Sequence, residues 1–544
     1  MPARARLAYP PLSRRRTNDG PLAVLEAVPH GLTAHLVDGS ARPCDAGDLP
    51  DLLNWTLRQR LGAKPLRSEA LPAGPLLVLT SSALARLVLP STVPTGAERH
   101  PRSDHPLLRQ IRAVGWQTDQ NGLGPWMRLH PSTGDPACDS IHLAVIDWGA
   151  LHHDAWNLPT DLAPGRLARL LGKYTSLLRT PVGPPGATGH QLMRDLRPAS
   201  HRHSVTGALI AAGTRGALTQ IVDPAPCEAP PGHRLATDPT AKDPNADIHW
   251  WRPPTADEAS RAHVVCLAVN LLPLAGSAEI RVSAGPAQYV TRPDFHSKTP
   301  GSWLVDLSTA QRHPLLPAPF AGSGPAWHTT PTLNYAVTRQ VRPQPTQGWL
   351  RSATAAGPYL KPFYERIRAA RLAVLEGLGV TGHTDTADVH QTLTNPPHSD
   401  PVQRALLYAI HATAEDALTE LAQPPTQPDE LAPIAWATPA EPTWRPDLLA
   451  AVRDNARANL HRKLSLTAAA TGYFPLAVAG DHVLYATHTP HLGEVTDRPD
   501  CAFTLGIACG HARPVAVRPM TWFTEQCAKG LNAAQSVKEA CPSW

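Results

Sequence analysis

Asp481 occupies the position in this chain best suited to chemistry. It follows Gly480 and lies between two apolar runs, 473–479 and 482–487, so the segment reads as a β-hairpin with a carboxylate at its tip. A carboxylate there could help hold divalent cations for two-metal phosphoryl transfer, if a second acid from another strand set the metals about 4 Å apart. The strand expected beside it, 264–269, contains no acid and is followed by Asn270, which lacks charge. Asp306, in the tryptophan-bearing run 303–307, is the other available donor. Mg2+ is implied only if such residues converge; otherwise neither a cofactor nor a metal site is expected. A Gly-Asp pair also suits a hairpin turn for conformational reasons alone. Glu26 on a first strand and Asp147 on a later one could clasp a metal ion, although a lone Glu there serves equally as edge charge. Walker loop, Rossmann glycine pattern, nucleophile elbow and H-E-x-x-H are all absent. Asp481, Asp306 and Glu26 are therefore candidates, and no catalytic set is assigned.

Binding chemistry is better represented. Arg453, Arg457 and His461 recur at i, i+4 and i+8 in a helical stretch, 447–464, that ends in Arg462 and Lys463. Such a row can track phosphates, because guanidinium forks match phosphate oxygens. Cations near a helix C-terminus also complement the helix dipole. Of fourteen tryptophans, Trp303, Trp327, Trp349, Trp444 and Trp522 lie near prolines or basic residues, with Lys298 just ahead of Trp303. Rings beside cations can stack on unpaired bases, and they can equally be core. Residues 1–20 carry five arginines, Arg14, Arg15 and Arg16 among them, against one acid. They read as a flexible basic arm.

The net charge of +5 over 544 residues permits a local nucleic-acid patch without requiring one. Eight cysteines form no C-x-x-C pair, which argues against a zinc ribbon. No apolar run approaches the roughly 20 residues of a membrane span, and the arginine-rich start lacks the apolar core of a signal peptide. No membrane partner and a cytoplasmic, nucleoid-associated location are expected.

The elements that must position these residues follow from periodicity. Strands are expected at 22–28 and 32–37, 75–80, 126–130 and 141–148; helices at 48–60, 82–87, 106–114 and 162–178. This order makes 21–200 a mixed sheet with helices against it, consistent with a ribonuclease H or exonuclease-like module. Residues 201–258, rich in Pro, Gly and His, read as an irregular connection. A second globular part spans 259–544, with strands at 264–269, 278–282 and 303–307, helices at 359–378, 405–421 and 447–464, and the Asp481 hairpin. The fold class is mixed α/β (α+β).

Beyond these elements, the chain resembles a known family. Gly20-Pro-Leu-Ala-Val-Leu25, Pro75-Leu-Leu-Val-Leu-Thr80 and Ile141-His-Leu-Ala-Val-Ile-Asp-Trp148 occur in order. They are followed by Gly301-Ser-Trp-Leu-Val-Asp-Leu307, Gly324-Pro-Ala-Trp-His-Thr-Thr-Pro-Thr332, Pro442-Thr-Trp-Arg-Pro-Asp447 and Asn459-Leu-His-Arg-Lys-Leu464. In these blocks it resembles the telomere-associated proteins of actinobacterial linear chromosomes and plasmids. The resemblance implies binding of the single-stranded 3′ overhang of linear replicons and recruitment of the terminal protein for end patching. A replication polymerase or topoisomerase would be a further partner. It also implies a core similar to a B-family polymerase in decay, with an exonuclease-like module ahead of a palm-like one. Two departures bear on this. Only the basic arm precedes Gly20 where relatives carry a helix-turn-helix domain, and Ala268 stands where relatives carry an aspartate. The alternatives are a template-directed nucleotidyl transferase acting on a protein primer, and a protein-interaction module without DNA binding.

Overall fold

The computed structural model describes residues 19–541 apart from 63–73, 93–104, 119–122, 134–139, 157, 160–161, 197–199, 203–208, 212–222, 231–232, 234–247, 284–285, 309–312, 318–319, 321–323, 354–356, 382–400 and 424–443. Arg14, Arg15 and Arg16, with nearly all of the expected basic arm, lie outside the described residues, as does much of the expected connection at 201–258. The chain is mixed α+β and divides into two compact units. One gathers the described residues up to Leu196 together with those of 400–417; the other takes most of the rest. No helix among the described residues is long and apolar enough to cross a membrane.

The first unit is built on a seven-stranded sheet. Its strands are β1 (Leu22–Val28), β2 (Gly31–Leu36), β3 (Ala41–Cys44), β4 (Leu76–Leu79), β5 (Trp116–Thr118), β6 (Trp126–Pro131) and β7 (Ile141–Val145), in the order β3-β2-β1-β4-β7-β6-β5. β1, β4 and β7 run parallel at the centre, and all other neighbours are antiparallel. The uninterrupted Leu76–Leu79 run reflects that position: a central parallel strand is covered on both faces, so it needs no polar alternation. Helices Leu49–Arg58 and Pro106–Ala113 contribute Leu52, Leu53 and Ile111 to the core on one face. Helix Pro164–Leu177 packs on β1 and β2, where Gly172 comes so close that an added Cβ would stand 2.6 Å from that of Val37. Part of a distant helix, Pro401–Glu420, completes this unit. Thr413 shares a 2.6 Å hydroxyl contact with buried Tyr174, and Gly189 admits Ala417 so closely that a Cβ would lie 2.5 Å from it.

In the second unit, β8 (Ser200–Arg202) and β9 (Leu209–Ala211) form a short ladder. A five-stranded antiparallel sheet comprises β10 (His249–Trp251), β11 (His263–Val269), β18 (Pro475–Ala479), β19 (His482–Thr487) and β20 (Ala512–Pro519), in the order β10-β18-β19-β11-β20. Alternate residues of β11 serve two cores. Val265, Leu267 and Val269 meet Ala456, Leu460 and Leu464 of the long helix Pro446–Thr471, while Val264 and Cys266 meet Phe523, Ala534 and Val537 of the two last helices. A second antiparallel sheet has the order β13-β16-β14-β15, from β13 (Gln288–Thr291), β14 (Gly301–Asp306), β15 (Pro325–Thr329) and β16 (Gln347–Leu350). β12 (Arg281–Val282) pairs with β17 (Gly357–Pro358).

Three expectations change. The 141–148 strand stops at Val145, where Ile146–Trp148 turn into a short 3-10 helix. The 278–282 strand shrinks to β12, because helix Leu272–Ser277 takes up the segment before it. The 447–464 helix continues to Thr471 and stops at Gly472, whose φ of +75 provides the left-handed cap.

Gly74, just ahead of β4, tests how closely the parallel strands approach. A Cβ there would fall 1.6 Å from the backbone oxygen of Ser140. Gly74→Ala should therefore lower the unfolding free energy by roughly 3 kcal/mol or more, read as a fall in urea midpoint with the denaturant slope unchanged.

Candidate functional site

The Asp481 hairpin forms where the sequence places it. Ala479 pairs with His482 across a two-residue turn, and Gly480 takes a φ of +62, which a two-residue hairpin turn asks of its first central residue. The Gly480 N–H donates to the Ile248 carbonyl at 2.7 Å, and the Asp481 carbonyl accepts from the Val269 N–H at 2.9 Å. The turn is thus fastened to the strands on either side of it. The Asp481 carboxylate is already engaged: Lys538 Nζ donates to Oδ1 at 3.0 Å, and His482 Nδ1 lies 2.9 Å from the same oxygen. Burial opposes its charge, but His482 and Lys538 outweigh burial and hold the carboxyl well below the usual range.

Across the sheet, His482 pairs with Ala268 on β11, and Ala268 pairs with Arg513 on β20. Arg513 and His482 are both buried. A polymerase-type centre would gather carboxylates along this row. Here it carries one carboxylate, a methyl group, an imidazole, a guanidinium and, over the turn, an ammonium. Divalent metals do not fit that donor set, and among the described residues no group of three His, Cys, Asp or Glu could hold a metal ion. Arg513 and Lys538 escaped the sequence reading. The Arg513-Pro-Val-Ala-Val-Arg518 alternation is the one signal that could have drawn attention to the first of them.

Asp306 does not join Asp481. Asp306 is exposed at the end of β14, in the other antiparallel sheet, where its Oδ1 accepts the Ser308 N–H at 2.8 Å. Hydrogen bonds from the Ser308 side chain and backbone lower its carboxyl. In the first unit, Glu26 and Asp147 stand at the same C-terminal end of the parallel strands. Glu26 Oε2 lies 3.0 Å from His35 Nε2, and Asp147 accepts from Ser81 Oγ at 2.5 Å. Between them the end of β4 offers hydroxyls: Thr80 donates to the Leu25 carbonyl at 2.8 Å, and Ser82 Oγ accepts the Ala27 N–H at 3.0 Å.

The basic row on the long helix is not a solvated face. Arg457 is buried; its guanidinium donates to Asp454 Oδ1 at 2.8 Å and to Thr332 Oγ1 at 3.2 Å. Asp454 also accepts from Thr332 at 2.9 Å and from Thr329. His461 is buried too, with Nδ1 2.6 Å from the Tyr335 hydroxyl. The physical reason is that the helix is covered on more than one side, by the five-stranded sheet and by helix Thr330–Thr338. Arg453 and Lys463 are partly buried and Arg462 exposed. Lys463 Nζ donates to the Ala502 carbonyl at 3.0 Å, and burial lowers its pKa. Arg462 donates to Asn459 Oδ1 at 2.8 Å and rests 5.3 Å from the Tyr335 ring centre. Trp303 and Trp327 are buried rather than open to bases, and Trp303 Nε1 donates to Thr330 Oγ1 at 3.0 Å. Lys298 is exposed.

Residues 23–184 match a family described as a domain of unknown function, DUF8841. No curated protein sequence matches the chain. Among solved structures, Phi29 DNA polymerase complexed with primer-template DNA and incoming nucleotide substrates aligns at 9% identity and a TM-score of 0.40, over 91% of this chain and 84% of that one. An orthorhombic crystal form of the same polymerase aligns at 8% identity and 0.38, over 91% and 85%. A likeness this distant assigns no activity.

Two outcomes follow from the buried row. Arg457→Ala would strand the Asp454 carboxylate and should cost about 3 kcal/mol of stability, whereas exposed Arg462→Ala should stay within about 0.5 kcal/mol; thermal and urea unfolding of both variants check this. His461 supplies a pH dependence. Burial, helped by the Arg339 charge, lowers its imidazole to about 4, against about 6.5 in an unfolded chain. The unfolded state therefore binds the proton more readily, so this contribution is present above pH 6.5 and is lost as the pH falls toward 4. Between pH 7 and 5 the loss should be about 2 kcal/mol, and His461→Gln should shrink the measured difference in unfolding free energy by that amount.

Proposed function

We propose that this protein is a non-catalytic, single-stranded DNA-binding adaptor. On this reading it acts at the ends of linear replicons, holds their 3′ overhang and recruits the terminal protein, as its resemblance to the telomere-associated proteins implies. The observation that carries the non-catalytic half is the Lys538–Asp481–His482 arrangement. The hairpin carboxylate of a palm-like sheet is paired with an ammonium and lies within hydrogen-bond reach of an imidazole, with Ala268 and Arg513 where further acids would be needed. The first unit supports the same reading. Its β3-β2-β1-β4-β7 order, an antiparallel meander extended by two parallel strands, suits a ribonuclease H or exonuclease-like module. Hydroxyls at the end of β4, between Glu26 and Asp147, leave that module short of acids. A cytoplasmic, nucleoid-associated location belongs to this proposal.

The test is a binding titration of the purified full chain with single-stranded and duplex replicon ends, with and without Mg2+ and nucleotides. The expected result is retention of the single strand, weakening as salt rises, unchanged by Mg2+, and with no nucleotide incorporated onto terminal protein. Mg2+-dependent incorporation that disappears in Asp481→Asn would establish the nucleotidyl transferase reading instead. Capture of terminal protein with no retardation of any DNA would leave only an interaction module.

A further inference from the structure

Trp303 and Trp327 are buried, but the same sheet exposes another aromatic pair, Tyr289 with Trp349. β13 lies at the edge of the β13-β16-β14-β15 sheet, and all four of its residues are exposed. Tyr289 pairs directly with Trp349 on β16, so both rings share one face of the sheet. Their centres are 5.4 Å apart at 60°, an edge-to-face contact that braces Tyr289 from one side and leaves it 50% exposed. The next row on that face, Thr291, Gln347 and Leu304, is exposed or partly exposed as well.

Charge gathers in the same segment. Residues 281–351 hold seven Lys and Arg against two Asp, a net +5 that equals the net charge of the whole chain. Arg351 is engaged with Glu228, but Arg292, Lys298, Arg339 and Arg342 are exposed, against exposed Asp294 and Asp306. Arg292 directly follows β13 in a left-handed conformation, φ +48. Its N–H donates to the Thr346 carbonyl at 2.9 Å, and Pro293 behind it packs against Gly348. An arginine tolerates such a backbone only where its surroundings fix it.

We infer that this face, with Tyr289 braced by Trp349 and Arg292 at its edge, is a stacking platform for the bases of single-stranded DNA. A half-exposed ring on a rigid sheet offers a flat surface to any base, and Arg292 beside it matches a phosphate of the same strand. This rests on the single-strand-binding reading above and names the contact surface within it.

The experiment is fluorescence anisotropy of labelled oligothymidylate with the full chain at several salt concentrations. Tyr289→Ala should weaken binding about tenfold, while loss of the half-exposed ring and its Trp349 contact should lower the unfolding transition only slightly, leaving the chain folded in the assay. Tyr289→Phe should bind like the wild type. Arg292→Gly, which suits the left-handed backbone, should fold at least as stably and flatten the dependence of log K on log salt by about 0.7. Wild-type binding that survives Tyr289→Ala undiminished would overturn the platform alone. Absence of binding by the wild type would overturn the reading on which it rests.

Discussion

Asp454 is the constraint on which the second unit depends. It sits inside the long helix and accepts hydrogen bonds from Arg457, Thr332 and Thr329. A carboxylate buried this deeply is tolerable only when its lone pairs are filled, so the bonds fix how helix Thr330–Thr338 and the end of β15 lie on the long helix. The Tyr335–His461 contact repeats the arrangement almost two turns further along. Residues that could have gripped phosphate are instead joints between a sheet and a helix. The proposed contact with DNA therefore falls to surfaces these joints leave uncovered.

The same logic governs the hairpin. Two-metal chemistry needs acids that repel one another until metals arrive, which makes an empty centre costly to fold. Here that tension is absent. Lys538 reaches Asp481 from the last helix, Arg513 faces Ala268 from an edge strand, and the sheet around them is closed by apolar packing on both faces. The arrangement is self-compensating: each charge along the row meets its partner within the fold.

What the sequence disclosed follows physical lines. The Asp481 hairpin was legible because two apolar runs flank a Gly-Asp turn, and β4 because four consecutive leucine and valine residues admit no other burial. Helix Pro164–Leu177 declared itself through Leu167, Leu170, Leu171 and Tyr174. β13 and β16 did not, since four-residue strands without alternation carry no periodic signal. The Arg453, Arg457 and His461 spacing was visible, but whether a helical row faces water depends on what packs there, and the packing partner lies more than a hundred residues away. For the same reason the sequence left Trp303 and Trp327 open between core and base stacking, and the packing settles them as core.

One feature of the first unit bears on how the chain comes into being. Its face around Gly189 and Tyr174 is covered by residues 400–417, encoded some two hundred positions after the rest of that unit. During synthesis the helices that carry Tyr174 and Gly189 therefore emerge with that face bare. At ordinary elongation rates it waits on the order of ten seconds or more for its covering helix. A nascent chain in that interval is a natural client for a chaperone, and a product terminated early would keep that face exposed to proteases.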